Sequence, residues 1–195
     1  DPAMVPTDGG KLLEDDAVQA VKTLLLPLAT CMTPNMDEAE VLWGSPVTTR
    51  EEMERCASDQ TEDLKYMPEV VLQPETVEQV STVMKYCNER LIPVTPRGAG
   101  TGLSGGALPV AAGVVLDMRR FNKILHLDKR NLQVTVEPGV ITQVLQEYVK
   151  AEGLFYPPDP ASKGSCFIGG NISENSGGPK AVKYGVVKDY VLNLE

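Results

Sequence analysis

The chain has 195 residues and a formal net charge of −9, from 18 basic and 27 acidic residues. This length fits one domain, or one domain with an extension, and can bury a hydrophobic core without disulfides or metals. The acidic balance argues against nucleic acid or an anionic membrane surface as the main partner. Four cysteines without a C-x-x-C pair and a single histidine, His126, exclude the usual Cys/His zinc site and catalytic arrangements that need a second histidine.

Residues 1–66 are predicted to form an N-terminal helical extension. The first three residues precede a methionine and are interpreted as a cloning remnant. Apolar residues recur every three or four positions between 10 and 30, and Thr49 with Glu52 fits a capping box, so two helices are expected. The polar stretch 59–67 then separates this extension from the main domain. We find neither a transmembrane span nor a signal peptide in the sequence, so we expect a cytoplasmic protein, or one that is peripheral to a membrane through a partner.

The main domain is predicted to begin with a small α/β unit. Thr76 and Gln79 form a capping-box pattern that opens a helix between two strands. Cys87 is expected in the core as part of the apolar face of that helix. The predicted strands are Val70–Leu72, Ile92–Thr95 and Gly113–Asp117, and the apolar helix face consists of Val77, Val80, Val83, Met84 and Cys87.

A second unit is predicted after a division near residue 120. It starts with a hairpin of strands 123–128 and 132–137, in which Leu132, Val134 and Val136 point inward. His126 is expected on the surface of this hairpin, because no ligand or carboxylate partner lies near it in sequence. Gly153 ends the helix that follows, whose apolar stripe is Ile141, Val144, Leu145, Tyr148 and Val149.

The glycines are concentrated in two clusters. Of 17 glycines, five lie between 98 and 106 and six between 164 and 185. Because glycine lets a backbone approach a ligand closely, we interpret the clusters as two backbone walls of one site. The first cluster matches G-x-G-x-x-G, but residues 107–113 leave no room for the helix that a Rossmann site requires. The sequence therefore predicts a loop whose successive N–H groups cradle an anion.

The second cluster contains many turn-forming residues and few large side chains, which suits contact with a flat polar ring. Within it, Cys166 is interpreted as a small packing residue, since no resolving cysteine adjoins it. Lys163 has two open interpretations, a solvated surface lysine or a contact to phosphate or substrate. From the residues alone, the prediction is a nucleotide or dinucleotide site lined by backbone.

The order of these motifs resembles the FAD-binding domain of the vanillyl-alcohol-oxidase-type (PCMH-type) FAD-linked oxidases. The resemblance covers the loop 96–106, Glu137-Pro138-Gly139, Pro158-Asp159 and the run 168–178. Within that group the chain is most similar to the branch of the glycolate oxidase FAD subunit, D-lactate dehydrogenase and D-2-hydroxyglutarate dehydrogenase. The resemblance implies an α+β fold of two subdomains, a small α/β unit and a mainly antiparallel sheet with helices. Residues 67–195 would then be an incomplete FAD-binding domain.

The resemblance also implies which residues hold FAD. The first loop would bind the pyrophosphate, and the second cluster would line the flavin and ribityl region. Thr101 stands where some relatives carry a histidine that anchors FAD covalently, so a non-covalent FAD is expected. The implied residues are Pro96, Arg97, Gly98, Ala99, Gly100, Thr101, Gly102, Ser104, Gly105, Gly106, Pro158, Asp159, Gly164, Ser165, Gly169, Gly170, Asn171 and Asn175.

By the same resemblance, the intact protein would oxidise a D-2-hydroxy acid of the glycolate, D-lactate or D-2-hydroxyglutarate type, with hydride transfer to FAD. Electrons would leave to an iron–sulfur subunit, an electron-transfer flavoprotein or a quinone. The alternatives are another enzyme of the same flavin fold and a non-catalytic FAD- or nucleotide-binding module of an electron-transfer complex. Residues 190–195 read as a strand without a turn after it, so the chain is expected to be the N-terminal part of a longer enzyme, inactive alone and truncated at its C-terminus. Catalytic and metal-binding residues are expected in the remainder.

Overall fold

The computed structural model describes residues 50–195. The predicted helix between residues 10 and 30, Thr49 of the first capping box and the cloning remnant lie outside the described residues. Two hydrophobic clusters of the first subdomain and one of the second make up the described core. The predicted mixed fold of a small α/β unit followed by a second unit is confirmed.

The first subdomain is a three-stranded parallel sheet with a helix on each face. Its strands run in the spatial order β1-β3-β2, so the chain crosses over the sheet twice. The elements are α1 (Arg50–Cys56), β1 (Val70–Leu72), α2 (Val77–Arg90), β2 (Val94–Arg97) and β3 (Val114–Asp117).

The side chains of the central strand β3 alternate between the two faces of the sheet, which explains why a helix covers each face. Val114 and Leu116 of β3 pack with Val83 and Cys87 of α2 on one face. Val115, one residue between them, packs on the other face with Cys56 at the end of α1. Successive strand side chains point to opposite faces, so a continuous apolar strand requires a helix on each side. The placement of Cys87 in the core is confirmed.

The capping box that was predicted for α2 is present. The Thr76 side chain accepts from the N–H of Gln79, and the Gln79 side chain accepts from the N–H of Thr76. The apolar face of this helix is narrower than predicted, because Val77 and Met84 are 65% and 45% exposed. Val77 is the first residue of the helix and Met84 lies in its middle, so the face that packs on the sheet is reduced to Val80, Val83 and Cys87.

The second subdomain packs a hairpin against helices. It comprises β4 (Ile124–Asp128), β5 (Gln133–Val136), α3 (Thr142–Ala151), α4 (Ile168–Ser173) and α5 (Ala181–Tyr184), with 3₁₀ turns at Met118–Arg120 and Val187–Tyr190. Val134 and Val136 face the core formed by Leu145, Val149 and Ile168. His126 is exposed, as predicted.

Two local predictions in the second subdomain are wrong, and one helix was not predicted. Leu132 is 72% exposed, because it belongs to the hairpin turn and has a φ of +57°. Residues 168–173 form a helix that was not among the predicted elements. Residues 191–195 are irregular instead of forming a strand, since they follow a 3₁₀ turn and pair with no strand of the described residues.

Candidate functional site at the subdomain junction

The first glycine loop leaves β2 at the carboxyl edge of the parallel sheet, where ligands of open α/β sheets bind. It returns to β3 without forming a helix, as the sequence predicted. Gly100 and Gly105 have φ values of +71° and +72°, a region that side chains other than glycine rarely adopt. These two residues turn the backbone sharply, so that the chain curls into a short concave loop.

The amide groups of this loop are available to a ligand. Within residues 50–195, the N–H groups of residues 99–104 donate to no protein acceptor, whereas the N–H of Gly105 donates to the Thr61 hydroxyl at 2.8 Å. Unpaired backbone amides normally need a partner, and successive ones form a concave anion-binding surface. The loop can therefore hold a phosphate group through its backbone.

The second glycine cluster reaches the first loop from the other subdomain. The Ser104 hydroxyl donates to Oε2 of Glu174 at 2.9 Å, across 70 residues of sequence. The Phe167 ring approaches Gly98, where an added Cβ would lie 3.7 Å from the ring. The structure thus brings together loop 98–106 and the region around α4, as the two-wall interpretation requires. Glu174 and Phe167 were not among the predicted site residues.

Close backbone contacts explain one of two neighbouring glycines in this second wall. A Cβ on Gly169 would lie 2.7 Å from Cβ of Pro138, and the N–H of Gly169 donates to the Pro138 carbonyl at 2.8 Å. Gly170, in contrast, is exposed with no atom within 4 Å of an added Cβ. Packing therefore requires Gly169, while nothing among the described residues explains Gly170 except the space beside it.

Asn171 is buried in a polar network with Thr142 and Cys166. Its amide donates to the Thr142 hydroxyl, which in turn lies 3.3 Å from the Cys166 carbonyl and 3.2 Å from its sulfur. The side chains of Asn171 and Cys166 are 3% exposed. Both residues join α3 to α4, which confirms Cys166 as a packing residue and directs the Asn171 side chain into the protein.

The segment 158–165 forms a neighbouring part of this wall. Asp159 makes ion pairs with Lys163 at 2.7 Å and Lys180 at 3.1 Å, and these two ammonium groups lower the pKa of its carboxyl. Gly178 approaches so closely that a Cβ there would overlap the Asp159 carbonyl oxygen. Lys163 thus pairs with Asp159. Both a solvated surface lysine and a lysine that contacts phosphate or substrate can make this ion pair.

The remaining predicted residues lie in these same segments. Gly164, Ser165 and Asn175 are exposed, and the carbonyl oxygen of the Asn175 side chain accepts from the N–H of Lys188 at 3.0 Å. In residues 50–195, no hydrogen bond joins segment 158–165 to loop 98–106. The contacts with the first loop that the structure shows come from the residues on either side of α4.

A cleft of about 270 Å³ opens in the second subdomain beside Phe167. Arg119 at its rim pairs with Asp117, a fully buried carboxylate at the end of β3 that also pairs with Arg55, each at 2.9 Å. Sequence reasoning missed this cleft, although the Pro138-Gly139 break marks one of its walls. Its lining residues are Arg119, Asn122, Gly139, Ile141, Val144 and Phe167.

Two kinds of feature are absent from the described residues. Among the described residues, no group of three or more His, Cys, Asp or Glu side chains is arranged to hold a metal ion. In the same part of the chain, no helix has the length and apolar character needed to cross a membrane.

Comparison with sequence families gives two matches. The family described as "FAD binding domain" matches residues 68–195. A second family, described as "Phosphomethylpyrimidine kinase", matches residues 1–104 and overlaps the first over residues 68–104. Residues 1–67 are thus covered by the second match alone.

Curated relatives carry the names of hydroxy acid enzymes. The glycolate oxidase subunit GlcD of Bacillus subtilis (strain 168) is 47% identical over 137 residues, which are 70% of this chain and 29% of the relative. A D-lactate dehydrogenase of Anaerostipes hadrus is 46% identical over 65% of this chain and 26% of the relative. A mitochondrial D-2-hydroxyglutarate dehydrogenase of Bos taurus is 34% identical over 80% and 28%. The chain spans less than a third of the length of each.

Solved structures show the same fold. An alkyldihydroxyacetonephosphate synthase superposes with a TM-score of 0.68 at 21% identity, covering 95% of this chain and 33% of the other. The BBE-like 1 protein of Physcomitrella patens, in its D396N variant, superposes with a TM-score of 0.67 at 20% identity, covering 80% and 34%.

The loop fits the cofactor that the first family match implies. A dinucleotide such as FAD carries a pyrophosphate, whose oxygens accept hydrogen bonds. The amides of residues 99–104 are free of described acceptors, and the glycines at positions 100, 102, 105 and 106 carry no side chain that would keep a ligand from the backbone. Both the donors and the space that a pyrophosphate requires are therefore present in this loop.

Proposed function

The chain belongs to the FAD binding domain family, and from that premise we propose that it is the cofactor-binding part of a flavoenzyme that oxidises a D-2-hydroxy acid. The similarity to three enzymes named for glycolate, D-lactate and D-2-hydroxyglutarate, at 34–47% identity, carries this proposal. We assign no catalytic residue to this chain. When bound, FAD supplies the redox chemistry, and the protein contributes binding and orientation.

We assign the pyrophosphate to the loop 96–106, through the free amides of residues 99–104. Hydrogen bonds from backbone N–H groups to an anion are stronger than those between neutral groups, and they require no charged side chain. Around the flavin and ribityl region we place Pro158, Asp159, Gly164, Ser165, Gly169, Gly170, Asn171 and Asn175. In this wall Gly170 offers open space, while Lys163 and Lys180 neutralise the Asp159 carboxylate.

We propose that FAD is held without a covalent bond. Thr101 offers no nucleophilic ring nitrogen in the first loop, and His126 lies on β4, within the hairpin and outside both glycine clusters. Acid precipitation of the FAD-loaded protein tests this assignment. Flavin is expected in the supernatant, and yellow colour retained in the washed pellet would contradict it.

The same proposal extends to partners, location and domain organisation. We propose a cytoplasmic protein that passes electrons to an iron–sulfur subunit, an electron-transfer flavoprotein or a quinone. Residues 1–66 would form the N-terminal extension and residues 67–195 an FAD-binding domain split near 120. The FAD-family match begins at residue 68 and supports this boundary, while the last part of the extension, which includes α1, packs against the sheet.

Substrate oxidation tests the proposed function. The longer gene product that contains this chain, loaded with FAD, is mixed without oxygen with D- and L-lactate, glycolate and D-2-hydroxyglutarate. Bleaching of the flavin by the D-2-hydroxy acids or glycolate, and not by L-lactate, is the expected result. Bleaching only by an alditol, added in a parallel sample, would favour another enzyme of this fold. No bleaching by any of them would favour a non-catalytic module.

A further inference from the structure

Arg97 links the first glycine loop to the segment that precedes the FAD-family match. It is the last residue of β2, directly before the loop, and its side chain is 3% exposed. Its guanidinium donates to four backbone carbonyls, those of Ser58 at 2.8 Å, Arg55 and Cys56 at 3.2 Å, and Ala107 at 3.4 Å. Three of these four acceptors lie in residues 55–58, outside the matched residues 68–195.

The loop passes directly over this guanidinium. A Cβ on Gly100 would overlap Nη2 of Arg97 and lie 2.9 Å from Cζ. Burial lowers the pKa of Arg97 from its ordinary value, yet the group has several carbonyl partners. Arg97 is therefore turned away from any ligand in the loop and supports the loop from beneath.

Thr61 anchors the other end of the loop. Its hydroxyl accepts from the N–H of Gly105 at 2.8 Å, and its own N–H donates to the Asp59 carboxylate at 2.8 Å. The hydrogen bond to Asp59 thus holds Thr61 in place, and the hydrogen bond from Gly105 to Thr61 holds the end of the loop. Between the two anchors, the amides of residues 99–104 have no acceptor among the described residues.

We propose that residues 55–61 are a structural part of the cofactor site, with Arg97 and Thr61 as positioning residues that fix the pyrophosphate loop before the cofactor binds. A glycine-rich loop loses much conformational freedom when it is ordered, and a loop that is already ordered binds its ligand more tightly. Neither side chain contacts the cofactor in this account. The inference rests on the proposed FAD binding and adds residues that precede the FAD-family match.

The variant Thr61→Val in the full chain tests the inference, because it removes the acceptor and keeps the side-chain shape. We expect about threefold to tenfold weaker binding of both FAD and ADP, which share the pyrophosphate, in line with the loss of one hydrogen bond. Riboflavin, which has no phosphate, is expected to bind as it does to the unaltered chain. Thr61→Ser keeps the hydroxyl and is expected to restore FAD affinity.

Thr82→Val serves as the matched control, since the Thr82 hydroxyl donates to the Glu78 carbonyl of its own helix and to no other acceptor in residues 50–195. Arg97→Lys is a second variant. Its ammonium group replaces the planar guanidinium and cannot donate to several of these carbonyls at once. It should weaken FAD and ADP more than Thr61→Val does. Isothermal titration calorimetry with FAD, ADP and riboflavin provides all of these affinities.

Three outcomes would overturn the inference. Equal FAD affinity of Thr61→Val and the unaltered chain would exclude Thr61 as a positioning residue. Equal weakening of FAD, ADP and riboflavin, or no rescue by Thr61→Ser, would indicate a general loss of structure. An unaltered chain that binds neither FAD nor ADP would overturn the proposed function itself, and the inference with it.

Discussion

At the scale of single residues, Glu174 combines two effects on the site. Its carboxylate accepts from Ser104 and thereby holds the first loop to the second subdomain. It also places a negative charge beside a loop that is assigned to an anion: an added Cβ on Gly106 would lie 3.6 Å from its Oε1 atom. An amide at this position would keep the acceptor and remove the repulsion.

Glu174→Gln is therefore expected to bind FAD about twofold to fivefold more tightly at low ionic strength, since exposed charges a few ångströms apart interact by about 1 kcal/mol. The gain should shrink in 1 M salt, where the Debye length is about 3 Å. Fluorescence titration at both ionic strengths measures the effect, with Glu89→Gln on α2 as the control. Weaker binding by Glu174→Gln at low salt would contradict this account of the charge.

Tyr156 is predicted to titrate at unusually high pH. Burial, with smaller contributions from Cys166 and Tyr190, raises its pKa from 10 to about 12. Because the raised pKa favours the neutral phenol in the fold, its contribution to stability is complete below pH 10 and is lost as the pH rises toward 12. The difference in absorbance at 295 nm between the unaltered protein and Tyr156→Phe should rise with pH, with a midpoint near pH 12. A midpoint near 10 would show that the phenol is solvated.

At the scale of elements, the sequence predicts local features well and tertiary effects poorly. The Thr76–Gln79 capping box and the hairpin turn depend on residues close in sequence, so their patterns are visible directly. Helix α4 was missed because Gly169 and Gly170 disfavour a helix, and packing of Ile168 into the core together with the buried Asn171–Thr142 bond outweighs that preference. The exposure of Leu132 depends on a left-handed turn that its residue type does not signal.

In the candidate site too, the local features were predicted from the sequence and the long-range contacts were not. The glycine clusters and the absence of a helix after the first loop predicted a backbone-lined anion site. The Ser104–Glu174 contact and the supports of Arg97 join residues 70 and about 40 positions apart, and no short motif encodes such distances. For this reason the sequence suggested Arg97 as a cofactor contact, whereas its side chain is buried against carbonyl groups.

Two glycines of the second wall should respond oppositely to alanine. Gly178 has a φ of +112° and faces the Asp159 carbonyl, so Gly178→Ala is expected to lower the free energy of unfolding by about 2–4 kcal/mol. Gly170 is helical with free space around it, so Gly170→Ala should raise the free energy of unfolding by about 0.5–1 kcal/mol. Urea unfolding compares the two directly. A stable Gly178→Ala protein would contradict the described contact between these segments.

At the scale of the whole molecule, the N-terminal segment and the matched domain meet in one core. Cys56 is fully buried with Val71 and Val115, and Arg55 pairs with the buried Asp117. Deletion of residues 1–66 would therefore expose this face of the sheet and leave the Arg97 guanidinium without three of its carbonyl partners. Removal of the partners of a buried charge typically costs about 3–5 kcal/mol.

Two truncations test this dependence. The chain without residues 1–66 is expected to melt at a clearly lower temperature, and to bind FAD less tightly, than the chain without residues 1–49, which keeps α1 and the carbonyl partners of Arg97. Circular dichroism and FAD titration measure both properties. Equal melting temperatures of the two truncated chains would show that α1 and the segment after it contribute little.

The most direct test of the central claim is the visible spectrum of this chain during titration with FAD. The account predicts that the flavin bands shift and sharpen on binding, that ADP competes through the shared pyrophosphate, and that denaturation releases the flavin. A spectrum that stays that of free FAD at every protein concentration, with no competition by ADP, would contradict the assignment of the glycine loop to a dinucleotide.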